Sequence, residues 1–112
     1  MDCLFCKIIA GDIPSTKVYE DEYVFAFKDI NPQTPVHILV VPKAHIASAD
    51  QVSGDNSLYV AKIFEAIPTI AREAGLVNGY RVITNCGEDA CQTVKHLHFH
   101  VMGGRPLPEN MG

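Results

Sequence analysis

The stretch from His96 to Val101 constrains the fold most, because histidine and apolar residues alternate strictly along it. Successive side chains of an extended strand point to opposite faces. This pattern predicts a β-strand over Thr93–Met102. On such a strand three imidazoles share one face, roughly 6.7 Å apart at the usual strand rise, while the core face receives Leu97, Phe99 and Val101. Three imidazoles on one face need polar partners, since an unpaired polar ring is costly to bury.

Bulk properties narrow the class of protein. The chain has 112 residues, 47% of them hydrophobic, which predicts one globular domain over residues 1–112 with a modest core that a metal or a partner chain would strengthen. The net charge of −4 argues against a nucleic-acid binder, which would have an excess of basic residues. No apolar run, Ile38–Val41 included, is long enough to cross a membrane, and the N-terminus lacks the basic and apolar regions of a secretion signal. We therefore expect no membrane partner and a cytoplasmic location.

Turn residues and periodicity predict the elements of the first half. Asp2 is placed to cap a short helix over Cys3–Ala10 that Gly11 ends. Three strands are expected after it, with an acidic turn between the first two and Pro42 closing the third: Lys17–Glu20, Tyr23–Phe27 and Val36–Val41.

The second half contributes one long helix and two further strands. A short segment over His45–Val52, a candidate helix, comes first. Apolar residues then recur at helical spacing from about Asn56 to Ala74, with Gly75 as the stop and with Pro68 expected to bend the helix near Phe64. A strand over Tyr80–Thr84, a polar loop over Asn85–Gln92 and the histidine strand follow. The absence of regular βαβ alternation predicts an α+β fold with a mainly antiparallel sheet.

The middle histidine has the chemistry of a nucleophile. A neutral imidazole nitrogen is nucleophilic near pH 7, and attack by His98 on a phosphoryl group would give a phosphohistidine. His96 and His100 could hold a phosphate oxygen or orient the ring, and Gln92 and Thr93 directly precede the strand. Asn85 and the loop around Gly87 could line the same pocket. The alternatives are an exposed polar sheet face or an adventitious metal-binding tract.

Cys3 and Cys6 form a C-x-x-C pair, which is often half of a zinc site. His45 and His96 could complete a closed tetrahedral site of structural type. Two half-buried thiols or a redox pair would give the same spacing.

Other polar residues have simpler interpretations. Cys86 and Cys91 flank a short loop segment and could be a second thiol pair beside the pocket, but the sequence favours free cysteines. His37 lies in an apolar strand and is interpreted as a partnered core or edge residue. Asp29 could accept hydrogen bonds from a ribose, but capping the next turn is the interpretation that the sequence alone favours.

With these residues in view, the chain resembles the histidine triad (HIT) proteins, and the Hint branch more than the dinucleotide-hydrolase branch. The family signature, His-x-His-x-His followed by two apolar residues, is matched by His96–Met102. Supporting segments cover nearly the whole chain: Phe5–Ile9, Ile13-Pro14, Ala26–Ile30, Pro42–His45 and Gly103–Arg105.

The resemblance implies a fold and a set of roles. The fold would be a five-stranded antiparallel sheet with one long and one short helix, assembled as a homodimer. His98 would be the nucleotidylated nucleophile, assisted by the other catalytic residues His96, His100 and Thr93. Nucleotide contacts would come from Asp29 and Ile30 on the ribose and base, and from Asn85, Cys91, Gln92, Thr93 and His100 on the phosphate side. A structural zinc would be held by Cys3, Cys6, His45 and His96.

The activity implied is hydrolysis at the α-phosphate of purine nucleoside monophosphate derivatives, with AMP or GMP as the bound nucleotide. Three alternatives stay open: a dinucleoside polyphosphate hydrolase, which Gly103-Gly104-Arg105 disfavours, a non-catalytic nucleotide sensor or partner-binding protein, and a metal store. One departure from the family pattern matters. Cys91 stands where a glycine is usual, so a positive φ at this position would be strained.

Overall fold

The computed structural model describes residues 3–110. Within this range the chain forms two α-helices and five strands, in the order α1 Leu4–Ala10, β1 Lys17–Glu20, β2 Val24–Lys28, β3 Val36–Pro42, α2 Ser57–Glu73, β4 Arg81–Ile83 and β5 Phe99–Gly103. Two single turns of 3₁₀ helix lie over Ala49–Gln51 and Glu88–Ala90. The α+β class with one long and one short helix is confirmed. Neither helix has the length and apolar character needed to cross a membrane.

The five strands form one sheet in the order β1-β2-β3-β5-β4. Each neighbouring pair is antiparallel, as predicted. The last strand therefore lies between β3 and β4, inside the sheet, where its side chains are fixed by neighbours on both sides.

Apolar side chains cover both faces of the sheet. Alternate residues of β2 and β3 form a cluster with α2 on one face, including Val24, Ala26 and Val40. The intervening residues pack on the other face with Phe5 and Ile8 of α1. Burial on both faces explains why β2 and β3 are nearly continuous apolar runs.

A thiol caps helix α1. The Sγ of Cys3 accepts a hydrogen bond from the Cys6 amide at 3.2 Å. Asp2, the predicted cap, lies outside the described residues. Gly11 ends the helix with φ of 85°, as predicted, because glycine adopts this left-handed conformation without steric cost. One candidate metal ligand thus also fixes the start of α1.

Helix α2 is unbroken through Pro68. Proline removes the donor for the carbonyl of Phe64. Phe64 is 50% exposed, and its ring lies edge-on to Phe99 with centroids 5.3 Å apart. Gly75 follows the last turn with φ of 81°, and the Leu76 amide donates to the carbonyl of Ala71 at 2.9 Å, which closes the helix end.

The prediction for the histidine strand was too long. Strand β5 begins at Phe99, and residues 93–98 are irregular. The neighbouring strand explains this difference, because β3 ends at Pro42, which has no amide hydrogen to extend the ladder. Smaller differences affect β2, which is shifted by one residue, and β4, which is two residues shorter than predicted. The segment over His45–Val52 contains only the first 3₁₀ turn.

The turn between β1 and β2 depends on one carboxylate. Asp21 accepts hydrogen bonds from the amides of Tyr23 and Val24 at 2.7 and 2.8 Å, and from the Tyr19 hydroxyl at 2.8 Å. Burial alone would raise the pKa of Asp21, but these hydrogen bonds outweigh it and lower the pKa below its usual value.

Replacing Asp21 tests this interpretation of the turn. Asp21→Ala leaves two backbone amides without their acceptor, so we expect the free energy of unfolding to fall by about 1–3 kcal/mol. Asp21→Asn keeps one acceptor oxygen and should lose less. Urea denaturation of the three proteins measures both effects, and equal stability of the wild type and Asp21→Ala would contradict this role.

Candidate functional site

The three histidines share one side of the chain, as the alternation predicts. Phe5 of α1 lies edge-on to the rings of His96 and His98, with centroids 6.0 and 5.0 Å apart. The centroids of His98 and His100 are 5.1 Å apart. The intervening residues Leu97, Phe99 and Val101 pack in the cluster with α2. Side-chain alternation therefore continues before β5, although sheet pairing does not.

One backbone carbonyl fixes the protonation of the neutral His98 ring. Its Nδ1 lies 2.7 Å from the carbonyl oxygen of His96, which can only accept a hydrogen bond, so Nδ1 carries the proton. The lone pair is therefore on Nε2. Within residues 3–110, every buried side-chain nitrogen and oxygen has a hydrogen-bond partner. Nε2 of His98 has no partner in this range. Nε2 therefore reaches solvent although the residue is only 6% exposed.

A backbone amide fixes the neighbouring ring in the same way. The amide of Gln33 donates to Nδ1 of His37 at 3.0 Å, so the neutral His37 ring has its proton on Nε2. That nitrogen lies 2.8 Å from Nδ1 of His100 and donates to it. His100 in turn has its own proton on Nε2, where it can donate to a ligand.

Asp29 lies at the start of this hydrogen-bonded chain. One oxygen accepts from the Asn31 amide at 2.8 Å, which is the turn-capping role that the sequence favours. The other lies 3.4 Å from Nε2 of His37. Ile30, the other predicted ribose and base residue, is 99% exposed. The Asp29 carboxylate therefore joins the loop after β2 to the histidine cluster.

Asp29, His37 and His100 bring three ligand-type atoms within 4.8 Å of one another. A cation there would need a lone pair on Nε2 of His37, and the proton would then move to Nδ1. The Gln33 amide already donates to Nδ1, so two donors would face each other. This arrangement favours a hydrogen-bonded relay over a metal site.

Burial keeps the relay neutral. Desolvation, together with His98 and His37 nearby, lowers the pKa of His100 to about 4. Desolvation also lowers the pKa of His37, against the opposing effect of Asp29. Near pH 7 both rings are therefore neutral and act through N–H donors and lone pairs, not as fixed positive charges.

Two sulfur and two nitrogen ligand atoms converge beside His98. Nδ1 of His96 lies 3.3 Å from Sγ of Cys3 and 3.5 Å from Sγ of Cys6, and Nδ1 of His45 lies 3.3 Å from Sγ of Cys6. All four atoms lie within 4.8 Å of one another. These spacings fit a tetrahedral cation with bonds of about 2.0–2.3 Å to nitrogen and sulfur.

The donor chemistry also fits a metal centre. Nε2 of His96 donates to the carbonyl of Pro42 at 2.9 Å, which leaves a lone pair on Nδ1 facing the thiols. Burial and the neighbouring Cys3 thiol raise the pKa of Cys6 to about 11, so a bound cation is needed to make it a thiolate at neutral pH. The four cysteines of the chain are free, and two of them line this cluster.

Gln92 braces the predicted phosphate loop. Its side-chain amide donates to the carbonyls of Ala47 and Val94 at 2.8 and 3.0 Å, and its oxygen accepts from the Gly87 amide at 3.0 Å. The residue is 8% exposed. Thr93, directly after it, is exposed, so its hydroxyl is accessible to a ligand. Asn85 is half-buried where the loop begins.

Cys91 has the positive φ that would be strained in a residue other than glycine. Its φ of 59° is the one positive value among non-glycine residues in the described part of the chain. Its amide donates to the Glu88 carbonyl at 3.0 Å, which ends the second 3₁₀ turn. The position therefore has a glycine-type conformation occupied by a cysteine.

His37 is the site residue that the sequence analysis undervalued. It is partnered, as expected, but its partner is the last triad histidine. A usable signal existed, because His37 is the only polar residue between Val36 and Val41 and a buried imidazole there requires a specific partner. The missing information was the register between β3 and β5. It pairs Leu39 with His100 and so places His37, two residues before Leu39, next to His100.

Comparison with known proteins gives one consistent answer. The sequence model of the HIT domain family matches residues 10–107. A 14 kDa zinc-binding protein of Zea mays is 45% identical over 112 residues, covering 93% of this chain and 83% of the maize protein. A histidine triad protein structure from Clostridium difficile has a TM-score of 0.94 at 52% identity, covering 99% of this chain and 97% of the other. A HIT family hydrolase structure from Legionella pneumophila has a TM-score of 0.95 at 43% identity, covering 99% and 100%.

The strain at Cys91 can be measured. A left-handed conformation costs a residue with a Cβ about 1–2 kcal/mol, partly offset in a glycine variant by the larger entropy of its unfolded chain. We expect Cys91→Gly to raise the free energy of unfolding by up to about 1 kcal/mol, and Cys91→Ala to leave it nearly unchanged. Chemical denaturation that shows Cys91→Gly to be less stable than Cys91→Ala would refute the strain.

The lowered pKa of His100 predicts a loss of stability in acid. Its pKa is about 4 in the folded chain and 6.5 in the reference state, so between these values the unfolded state binds more protons and stability falls as the pH falls. We expect His100→Gln to reduce the loss between pH 7 and pH 5 by about 1–2 kcal/mol. Thermal unfolding at both pH values, at equal metal content, measures this, and parallel losses would contradict it.

Proposed function

The chain belongs to the histidine triad (HIT) family, and we propose that it is a hydrolase of purine nucleoside monophosphate derivatives. The bond cleaved is the P–N or P–O bond at the α-phosphate, and AMP or GMP is the nucleotide product. The observation that carries the proposal is the hydrogen bond from Nδ1 of His98 to the His96 carbonyl, which leaves a solvent-accessible lone pair on Nε2. The solved Legionella relative described as a hydrolase supports the reaction class.

The reaction takes two displacements in this proposal. In the first, Nε2 of His98 attacks phosphorus, a P–N bond to the ring forms, and the leaving group takes the electrons of its bond and a proton from water. In the second, water attacks phosphorus, the bond to His98 breaks, and the ring recovers its lone pair while the water proton passes to solvent. Splitting one difficult step into two easier ones is the gain of covalent catalysis.

The surrounding residues stabilise charge and hold the nucleotide. The Nε2 proton of His100, fixed by His37, donates to a phosphate oxygen, assisted by the hydroxyl of Thr93 and by the loop that Gln92 braces. Asn85 and the backbone of Cys91 border the same phosphate. Asp29 accepts from the ribose hydroxyls and Ile30 covers the base.

We further propose that the Cys3, Cys6, His45 and His96 cluster holds zinc. The maize relative named a zinc-binding protein supports this assignment, as does the tetrahedral fit of the four ligand atoms. Four protein ligands leave no open coordination position, so the metal would stabilise the structure and take no part in the displacements.

Assembly and location complete the proposal. A homodimer is supported by the short edge strand β4 and by the apolar side chains that α2 and the following loop expose, with exposed fractions of 52% at Leu58, 50% at Phe64 and 85% at Val77. A cytoplasmic location is supported by free thiols, which persist in a reducing compartment.

Substitution of the nucleophile tests the reaction. We expect His98→Ala to lower the turnover of an adenosine phosphoramidate by about a thousandfold or more. No other imidazole presents a free lone pair where Nε2 of His98 lies. Glu22→Ala, which changes an exposed residue in the turn between β1 and β2, should retain wild-type turnover. Nucleotide release measured by chromatography decides, and a His98→Ala enzyme with unchanged turnover would refute the nucleophile.

A further inference from the structure

The segment that carries His98 lacks the support of the sheet. Strand β5 begins one residue later, so His98 makes no ladder pairing. Its backbone is held instead from neighbouring loops: the Leu97 amide donates to the Ile46 carbonyl at 2.6 Å, and the Thr84 hydroxyl donates to the His98 carbonyl at 2.8 Å. The ring itself is held through its Nδ1 by the carbonyl of His96. The position of that carbonyl therefore matters for the nucleophile.

His96 lies in both sites. Its side chain is fully buried, with 0% exposure. One ring nitrogen donates to Pro42 at the end of β3, and the other faces the thiols of Cys3 and Cys6. The carbonyl of the same residue receives the proton of His98. A cation bound to Nδ1 would thus fix, through one residue, the group that selects the His98 tautomer.

Helix α1 provides a second connection between the sites. The Sγ of Cys3 caps the helix, and Phe5 of its first turn lies edge-on against both His96 and His98. The metal cluster therefore joins the start of α1, the end of β3 and the irregular segment before β5. Each of these three elements contacts the nucleophile or its carbonyl partner.

We propose that His96 is a positioning residue through which the occupied Cys3-Cys6-His45-His96 centre keeps the His98 proton on Nδ1 and its lone pair on Nε2. The part of this inference that concerns catalysis rests on the proposed function. The part that concerns the tautomer of His98 rests on the proposed zinc centre but not on the proposed hydrolase activity, so the two can be tested separately.

The test compares zinc-loaded and chelator-stripped wild-type protein with a ligand variant and a control variant. Cys6→Ala removes one ligand but keeps the backbone amide that Cys3 caps, whereas Glu22→Ala changes an exposed side chain in the turn between β1 and β2. His45→Ala removes an exposed ligand and serves where Cys6→Ala does not fold. Zinc per chain, circular dichroism, the ¹⁵N spectrum of the His98 ring at about pH 8, and kcat and KM are measured.

We expect one zinc per chain and a single Nδ1-protonated tautomer in the loaded wild type and in Glu22→Ala. The stripped protein and the ligand variants should stay folded, show both tautomers, and lose on the order of tenfold or more in kcat with little change in KM. A single unchanged tautomer after stripping would overturn the proposal. Unfolding of the whole chain in the stripped protein and both ligand variants would also overturn it, because the centre would then act on the fold and not on His98.

The outcomes separate this inference from the proposed function. A tautomer change on stripping, with no turnover in any loaded protein, would refute the hydrolase and leave the positioning role of His96 supported. Turnover in the loaded protein that survives stripping unchanged would support the hydrolase and refute the coupling.

Discussion

The hydrogen bond from Nδ1 of His98 to the backbone carbonyl of His96 is the interaction on which the rest of the site depends. A side chain can exchange donor and acceptor roles, but a peptide carbonyl cannot donate. Two further backbone groups act in the same way: the Gln33 amide fixes His37 and thereby His100, and the Pro42 carbonyl fixes His96. Fixed peptide groups thus determine where every proton of the neutral cluster lies.

The fold brings these peptide groups together because one strand ends early. Pro42 ends β3, and its carbonyl is then free to accept from His96 instead of from a ladder amide. The segment opposite leaves the sheet, so the His96 carbonyl can turn toward the His98 ring. Helix α1 covers this segment with Phe5, which excludes water from the inner part of the rings. The same irregularity that shortens the sheet therefore builds the site.

Periodicity predicted the elements well and their limits less well. Alternation at His96–Val101 correctly indicated which side each residue faces, but it did not show where pairing stops, because that depends on Pro42 in another strand. Capping was also missed, since the sequence gives no sign that a cysteine caps α1. The four proposed metal ligands could be listed from spacing and family resemblance, whereas the link through His96 required three-dimensional distances. The role of His37 depended on strand register, which single-sequence patterns do not contain.

The most direct test of His98 as the nucleophile is intact-mass spectrometry of the zinc-loaded protein. The sample is quenched rapidly and without acid during turnover of an adenosine phosphoramidate. Covalent catalysis by His98 predicts a transient mass increase of one adenylyl group, mapped to His98 and missing in His98→Ala. Steady turnover without any adduct, or an adduct on a different residue, would contradict it.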